Sequence, residues 1–184
     1  MESNSARPMA TGLTILGGLA RLVQNLNFAP VGALSLFAGA RLRGWRAYLL
    51  PIALMAVTDP IVSRLYGYSA WAGYSFATPF IYASFLINVW IGSRLRRTEN
   101  PGWIAAAALA GSVQFFVLSN FGTWLAPHSS YGHSLGGLVN CYIAAVPFFR
   151  NTVLSDLLYA GVFFGLHAVL SRVAVRSERV AQAA

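Results

Sequence analysis

Six long apolar runs divide the sequence, and Gly, Pro, Asn, aromatic or Arg residues separate them. The runs cover residues 10–26, 28–40, 47–63, 74–92, 102–125 and 151–170. A helix needs about 20 residues to cross the hydrocarbon core of a bilayer, with about 17 as the practical minimum. Only run 28–40 is shorter than that. Because backbone polar groups in lipid must be satisfied within the segment, each run predicts an α-helix.

Composition supports a membrane environment for these helices. The chain has 184 residues, of which 57% are hydrophobic and 10% are charged, whereas about 25% charged residues is usual for soluble domains. We therefore predict an all-α integral membrane protein, a bundle of about six transmembrane helices. The net charge of +8 could suggest nucleic-acid binding. The basic residues, all arginine, lie between the apolar runs rather than on one polar face, which favours membrane topology and excludes a nucleic-acid partner.

The arginines also predict the orientation. Ten of them fall on one side of a six-helix arrangement and three on the other. Because cytoplasmic connections are enriched in Lys and Arg, both termini are predicted to be cytoplasmic, in a multi-pass protein of the bacterial inner membrane. The predicted divisions are a cytoplasmic segment 1–9, a transmembrane domain 10–172 and a basic cytoplasmic tail 173–184. The inner arginines are Arg7, Arg41, Arg43, Arg46, Arg94, Arg96, Arg97, Arg172, Arg176 and Arg179, and the outer ones are Arg21, Arg64 and Arg150.

Two stretches could change the predicted number of six crossings. The first run could be a secretory signal peptide, but Gly17–Arg21 offers no convincing cleavage site, so we predict a retained helix. Residues 138–149 are also apolar, and a seventh crossing there would place the arginine-rich tail outside. We predict instead that 138–149 is a re-entrant or interfacial part of the outer loop, broken at Pro147.

The outer segments 24–30, 66–74 and 120–142 concentrate Asn, Tyr, Trp, His and Gly. The aromatic residues could form a belt at the headgroup level, but a belt would occur on both faces, and asparagine has no role in one. We therefore predict a ligand pocket, in which the rings stack on the ligand and the amides bind its polar edge. The candidate binding residues are Asn27, Asp59, Trp71, Tyr74, Asn120, Trp124, His133, Asn140, Cys141, Arg150 and Asp156.

Asp59 and Asp156 lie inside apolar runs. An ionisable group within a crossing is costly and indicates function, with a partner expected; Arg64 and Arg150 are the nearby outer cations. The alternatives are a structural Asp–Arg pair, or an N-cap role for Asp59 before Pro60. Three further buried polar residues are predicted to form hydrogen bonds between helices: Asn88, Gln114 and His167.

Residues 132–136 match G-x-S-x-G, and Asp156 and His167 follow in the chain order of α/β-hydrolases. No strand precedes Ser134, however, and the eleven residues between Asp156 and His167 separate them by about 16 Å on a helix. We predict no enzyme and keep an intramembrane hydrolase using Ser134 as a less favoured alternative. The Cys–Arg–His set of membrane transpeptidases of the exosortase type has a weaker counterpart in Cys141, Arg150 and His167.

A metal site could use His128, His133 and Cys141, but their spacing matches no standard zinc pattern. We predict no metal and no cofactor. A narrower hypothesis remains, in which Cys141 or His133 supplies an axial ligand to a bound tetrapyrrole such as cobalamin.

Three blocks carry a resemblance to a known group: residues 27–61, beginning "NFAPVGALSLF", residues 119–125, "SNFGTWL", and residues 141–161, "CYIAAVPFFRNTVLSDLLYAG". Together they resemble an uncharacterised bacterial family of membrane transport proteins. That family is similar in layout to the substrate-binding (S) components of energy-coupling-factor (ECF) vitamin transporters. The resemblance extends from Asn27 to Gly161.

The resemblance implies a six-helix protein that binds a vitamin-like nutrient from outside, through loops 24–30, 66–74 and 120–150. S components dock onto a coupling membrane subunit with ATPases through small residues on the first helix. Here the small-xxx-small spacing occurs on the second, at Ala29 and Ala33 and at Ser35 and Gly39. Because the chain has no Walker motif, ATP use would need another subunit. The alternative function is a membrane scaffold of MreD-like architecture.

Overall fold

The computed structural model describes residues 6–23 and 28–183, and within them all regular secondary structure is helical. The all-α prediction is confirmed, and each apolar run contributes to one helix. A short 3-10 turn, Arg21–Val23, continues the first helix. The helices are α1 (Ala6–Ala20), α2 (Val31–Arg41), α3 (Arg46–Leu65), α4 (Thr78–Ser93), α5 (Pro101–Leu125) and α6 (Leu135–Ala183).

The helices differ greatly in length. Within the described residues, α3, α5 and the 43-residue part Leu135–Ser177 of α6 are long and apolar enough to cross a membrane, which supports membrane association. Helices α1 and α2 have 15 and 11 residues, and at 1.5 Å per residue they rise only about 22 and 16 Å. Because the hydrocarbon core is about 30 Å thick, α2 is a half-helix by length and α1 is also shorter than a crossing, where the apolar runs predicted full crossings.

The connections between helices lie at two ends of the bundle. The Arg41 guanidinium donates hydrogen bonds to the carbonyl oxygens of Leu95 (3.3 Å) and Thr98 (3.2 Å). Connections 42–45 and 94–100 therefore share one end, which we call the arginine-rich end. At the other end, the Phe80 ring packs on Phe121, with centroids 6.0 Å apart. The start of α4 and the end of α5 meet there, and we call this the arginine-poor end.

Helix α2 forms the centre of the bundle, and every residue of it from Ala33 to Ala40 is buried. It crosses α4 at very short range. A Cβ atom on Gly39 would overlap the carbonyl oxygen of Val89, and one on Gly92 would overlap that of Leu36. The Ser35–Gly39 spacing therefore serves contact between α2 and α4 inside the chain, so this face is not available to dock a coupling subunit.

The predicted break at Pro147 is wrong, because α6 continues through it from Leu135 to Ala183. A proline inside a helix removes one backbone hydrogen bond, but contacts with α5 hold the flanking turns. The Tyr142 hydroxyl donates to the Val117 carbonyl at 2.7 Å, and the rings of Phe116 and Phe149 have centroids 4.7 Å apart. Residues 135–150 thus lie along α5 as helix, and the connection between α5 and α6 is limited to 126–134.

We predict that Gly39→Ala lowers the free energy of unfolding by about 1–3 kcal/mol or more, because overpacking at a backbone contact forces the helices apart. Thermal unfolding in detergent micelles measures the change. Gly12→Ala is the matched control, since a Cβ there meets no atom within 4 Å and replacing a helical glycine is neutral or mildly stabilising. Equal unfolding temperatures for the two variants would contradict the close crossing of α2 and α4.

Candidate functional site

The arginine-poor end contains a recess above the start of α2. Val31 at that start lines one cavity together with Phe85, Phe115 and Thr152. Helix α5 continues for ten residues beyond Phe115 to Leu125, and α4 begins seven residues before Phe85. These two helices therefore extend about 15 and 10 Å past the start of α2. Because α2 is short, helices α3 to α6 enclose a depression whose floor is the beginning of α2. We call this depression the recess.

Two adjoining cavities occupy the recess. One, of about 330 Å³, includes the polar side chains of Asp59, Ser63 and Tyr82 within a mainly apolar lining. The other, of about 270 Å³, has the apolar residues Val31, Phe85 and Phe115 and the carboxylate of Asp156. Both are lined by Arg21, Met55 and Ile81, so they meet at Arg21. A smaller cavity of about 190 Å³ shares Phe115 and Thr152 with the second and includes Asn120.

An ion pair lies where the two larger cavities meet. Nη1 of Arg21 is 2.6 Å from Oδ1 of Asp59, and their side chains are 18% and 12% exposed. The same nitrogen donates to the Thr58 hydroxyl at 2.8 Å, and the Tyr82 hydroxyl donates to Oδ2 of Asp59 at 2.7 Å. Both carboxylate oxygens are therefore engaged. In the described chain this is the one ion pair between side chains closer than 4 Å.

The expected partner of Asp59, Arg64, was the wrong cation. Arg64 is exposed on the same helix, and at 3.6 residues per turn a separation of five residues points the two side chains about 140° apart. Arg21, which the sequence placed among the outer arginines, contacts α3 at Asp59 and Thr58.

The N-cap interpretation of Asp59 is also wrong, since α3 runs through both Asp59 and Pro60. Pro60 has no N–H to donate to the carbonyl of Ala56 one turn earlier. The Tyr74 hydroxyl donates to that carbonyl at 3.1 Å. Tyr74, a predicted stacking residue, thus satisfies a backbone group that the proline leaves without its helical donor.

Asp156 caps α2 from another helix. Its Oδ1 accepts a hydrogen bond from the backbone N–H of Ala33 at 3.0 Å, and its Oδ2 accepts one from the Ser112 hydroxyl at 2.7 Å. The N-cap position of α2 is Pro30, which supplies no side-chain bond. A carboxylate at a helix N-terminus is favourable for both the orphan N–H groups and the helix dipole. A Cβ on Gly32 would overlap this carboxylate.

A neighbouring contact also holds the start of α2, which forms the floor of the recess. The Ser155 hydroxyl donates to the carbonyl of Ala29 at 2.8 Å, so consecutive residues of α6 hold the chain on both sides of Pro30. Arg150, the expected partner of Asp156, is exposed on α6. The buried Asp156, 3% exposed, is therefore stabilised by neutral donors rather than by an arginine.

The polar pairing between helices is confirmed for two residues. Nε2 of Gln114 donates to Oδ1 of Asn88 at 2.9 Å and to the carbonyl of Ser84 at 3.0 Å. His167 is buried, and its ring packs edge-on against Phe37, with centroids 5.7 Å apart.

Aromatic residues predicted to stack on a ligand lie elsewhere. Trp71 is 71% exposed, and its ring is 5.7 Å from that of Tyr74. The Trp124 ring is 5.9 Å from the ring of His133, whose Nε2 lies 3.1 Å from the Ala126 carbonyl oxygen. Trp124 and His133 thus close the connection between α5 and α6. None of these four rings lines the three cavities of the recess.

Of the remaining candidate binding residues, one lines a cavity of the recess. Asn120 lines the smallest cavity, although its amide donates to the Phe116 carbonyl of its own helix at 2.8 Å. Asn140 is exposed on α6, and the buried Cys141 has its Sγ 3.5 Å from the Asn120 carbonyl. Asn27 lies outside the described residues. The structure therefore brings Asp59, Asp156 and Asn120 to the recess, and the other described candidates do not line its cavities.

The serine of the G-x-S-x-G match is a helix cap. The backbone N–H of Gly137 donates to Oγ of Ser134 at 3.0 Å, and the N–H of Leu138 donates to its carbonyl at 3.0 Å, so Ser134 is the N-cap of α6. Gly132 before it has φ of 67°, in a turn rather than a strand.

The length of α6 also rules out the two catalytic sets that include His167, one with Ser134 and one with Cys141. His167 lies 33 positions after Ser134 and 26 after Cys141 on one continuous helix, which separates it from them by about 50 and 39 Å. Neither set can assemble. Within residues 6–23 and 28–183 there is no group of three His, Cys, Asp or Glu residues arranged to hold a metal ion.

Sequence reasoning missed Arg21, Tyr82 and Ser112 as parts of the recess. A signal existed for Arg21, because it is the one cation inside an apolar run and Asp59 is an anion inside another, and such groups pair within membranes. Tyr82 and Ser112 carry no such signal, since their hydroxyls are ordinary in apolar helices until a neighbour is known.

A family model matches residues 1–179 of the chain, and its description is "Family of unknown function (DUF6580)". No curated protein and no solved structure matches the chain. The match agrees with the resemblance to an uncharacterised family and leaves the likeness to S components a prediction.

We predict that Arg21→Gln and Asp59→Asn each lower the free energy of unfolding by about 3 kcal/mol, because either change leaves one buried charge without its partner. The double variant should lose less than the sum of the two, with a coupling of about 0.5–3 kcal/mol. Unfolding in detergent for all four proteins of this cycle measures the coupling. Strictly additive losses would show that Arg21 and Asp59 do not interact.

Ser134→Ala should lower the free energy of unfolding by about 1 kcal/mol through loss of the N-cap. We expect a fluorophosphonate probe to leave the native protein unlabelled, because Asp156 and His167 lie too far along α6 to complete a triad with Ser134. Ser177→Ala is the matched control, since that hydroxyl bonds only the Val173 carbonyl of its own helix. Labelling of Ser134 would revive the hydrolase alternative.

Proposed function

The chain belongs to the family of unknown function DUF6580, and we propose that it is a membrane transport component that binds a small amphipathic nutrient in the recess. The observation that carries the proposal is the pair of adjoining cavities that meet at Arg21. The likeness to S components supplies the transport part of the proposal. The geometry supports the binding part.

The polar groups at this position favour binding over a purely structural role. Ionisable residues within a membrane bundle are costly and mark ligand or ion sites. In membrane transporters, half-helices commonly end at the binding site, where the positive N-terminus points toward the substrate. Helix α2 has this arrangement, since its N-terminal end forms the floor of the recess beside Arg21.

The walls indicate the kind of ligand. A polar end can hydrogen-bond Arg21, Asp59 and Tyr82 in the first cavity, and an apolar part can contact Phe85 and Phe115 in the second. The cavity volumes, about 330 and 270 Å³, lie near or below the lower limit of ligand pockets, which is about 300 Å³. This size favours a compact vitamin-like molecule. It argues against cobalamin or another tetrapyrrole held by Cys141 or His133, which lie outside these cavities.

The proposed location is the bacterial cytoplasmic membrane, with the arginine-rich end and both termini on the inner side. In that orientation the recess opens outward. Helices α1 and α2 then enter from the inner side and turn back beneath the recess, while α3, α4, α5 and α6 form its walls. The proposed energy source is a coupling membrane subunit with ATPases, which would have to dock on a face other than the Ser35–Gly39 face.

We predict that the purified protein retains a small organic ligand and that Tyr82→Phe lowers its occupancy at least tenfold. The Tyr82 hydroxyl lines the recess as a donor, and a hydrogen bond from it to a charged group of the ligand would contribute about 1.5–3 kcal/mol, which corresponds to tenfold or more in affinity. Purification in mild detergent followed by mass spectrometry of the extracted small molecules measures occupancy.

Thr123→Val is the matched control, because it also removes a hydroxyl at the arginine-poor end. The Thr123 hydroxyl donates only within its own helix, to the Ser119 carbonyl, so the control should keep full occupancy. Unfolding temperatures of both variants exclude global damage as the cause. If no ligand accompanies the native protein and Tyr82→Phe leaves its properties unchanged, the scaffold alternative replaces the binding proposal.

A further inference from the structure

A second site lies at the opposite end of the bundle, where nothing in the proposed function needs one. A groove of about 310 Å³ runs between the start of α5 and the middle of α6 and reaches the end of α2. Arg41, Arg172 and Glu99 line its mouth, and Ile104, Leu157 and Phe164 are among the apolar residues along it. The groove shares no lining residue with the recess.

Glycines keep the groove open. Gly161 and Gly165 lie one turn apart on α6, and a Cβ added at either would meet no atom within 4 Å. The floor between them is solid, since Ala160 and Phe164 are buried. The result is an apolar channel along α6 rather than a gap in the packing.

Positive charge is concentrated at the mouth. The guanidinium of Arg41 is held by the carbonyls of Leu95 and Thr98 and lies 5.0 Å from the centre of the Phe164 ring. Arg172 lies on α6 two turns beyond Gly165 and is exposed. With Glu99 as the acidic residue of the lining, the mouth is net positive. Arg96, which donates to the Gly39 carbonyl at 3.4 Å, adds to the charge nearby.

From these observations we infer that the groove binds one anionic phospholipid. Its phosphate lies against Arg172 beside the fixed charge of Arg41, and one acyl chain follows α6 past Gly165 and Gly161 toward Leu157. Basic pockets between helices at the cytoplasmic side of membrane proteins recognise anionic headgroups in this way. The distance from Arg172 to Leu157 is about 22 Å along the helix, enough for a headgroup and most of an acyl chain.

The test measures stabilisation of the detergent-purified protein by added phosphatidylglycerol, followed by native mass spectrometry of the bound lipid. We expect phosphatidylglycerol to raise the unfolding temperature and to appear as one retained lipid. Phosphatidylcholine and inorganic phosphate should do neither. Arg172→Gln, which removes the headgroup contact, and Gly165→Leu, which fills the channel, should each weaken the lipid's apparent affinity at least tenfold.

Two controls match these variants. Arg176→Gln removes an exposed arginine one turn further along α6, outside the groove, and Gly136→Leu adds the same side chain in the first turn of α6, where a Cβ meets only the Ser134 hydroxyl, at 3.8 Å. Both should bind phosphatidylglycerol as the native protein does, as should Tyr82→Phe in the recess. Equal stabilisation by phosphatidylcholine or by inorganic phosphate would overturn the inference. So would native-like lipid binding by a folded Gly165→Leu variant.

Discussion

The two ends of α2 impose the constraint on which the rest of the structure depends. An 11-residue helix in the centre of an apolar bundle leaves N–H groups at one end and carbonyls at the other without partners in the helix itself. Other parts of the chain supply the partners. Asp156 accepts from the Ala33 N–H, and Arg96 donates to the Gly39 carbonyl. Charged side chains are therefore needed inside or beside the bundle for structural reasons, before any ligand is considered.

The same constraint explains the pattern of small residues. Helix α2 contacts α4 backbone to backbone at Gly39 and Gly92, and the Asp156 carboxylate approaches α2 at Gly32. Each glycine is required by a neighbour that a Cβ would displace. Small residues at four-residue spacing show in the sequence that a helix is approached closely, but they do not show by which helix. For this reason the resemblance to S components directed the Ser35–Gly39 face toward a partner subunit, although α4 occupies it.

The sequence predicted the number and order of helices well, because long apolar runs between arginine clusters have few alternatives. It did not predict which runs form helices shorter than a crossing. Run 10–26 has the length of a crossing, but α1 ends at Ala20 and only the 3-10 turn Arg21–Val23 continues it. The sequence also suggested that the Asn and aromatic residues of 120–142 form a loop, whereas most of them lie on α5 and α6. Asp59 and Asp156 were found because a charge in an apolar run is conspicuous in any fold. Their partners depend on the packing of helices distant in sequence.

Asp59 and Asp156 differ in how much the fold depends on them, and therefore in how readily a ligand in the recess could displace them. Asp156 holds a helix terminus through Ala33 and Ser112, so a ligand that displaced it would uncap α2. Asp59 caps nothing, and an ion pair in an apolar interior contributes little net stability compared with apolar residues of the same volume. The Arg21–Asp59 pair is therefore the polar group of the recess that a ligand can open at least cost to the fold. A ligand with its own charge can replace one member of the pair without leaving the other unpaired, and the Tyr82 hydroxyl stays in place to bind whichever acceptor results. The pair is also located where the two larger cavities meet, so the same exchange would align an amphipathic molecule across both.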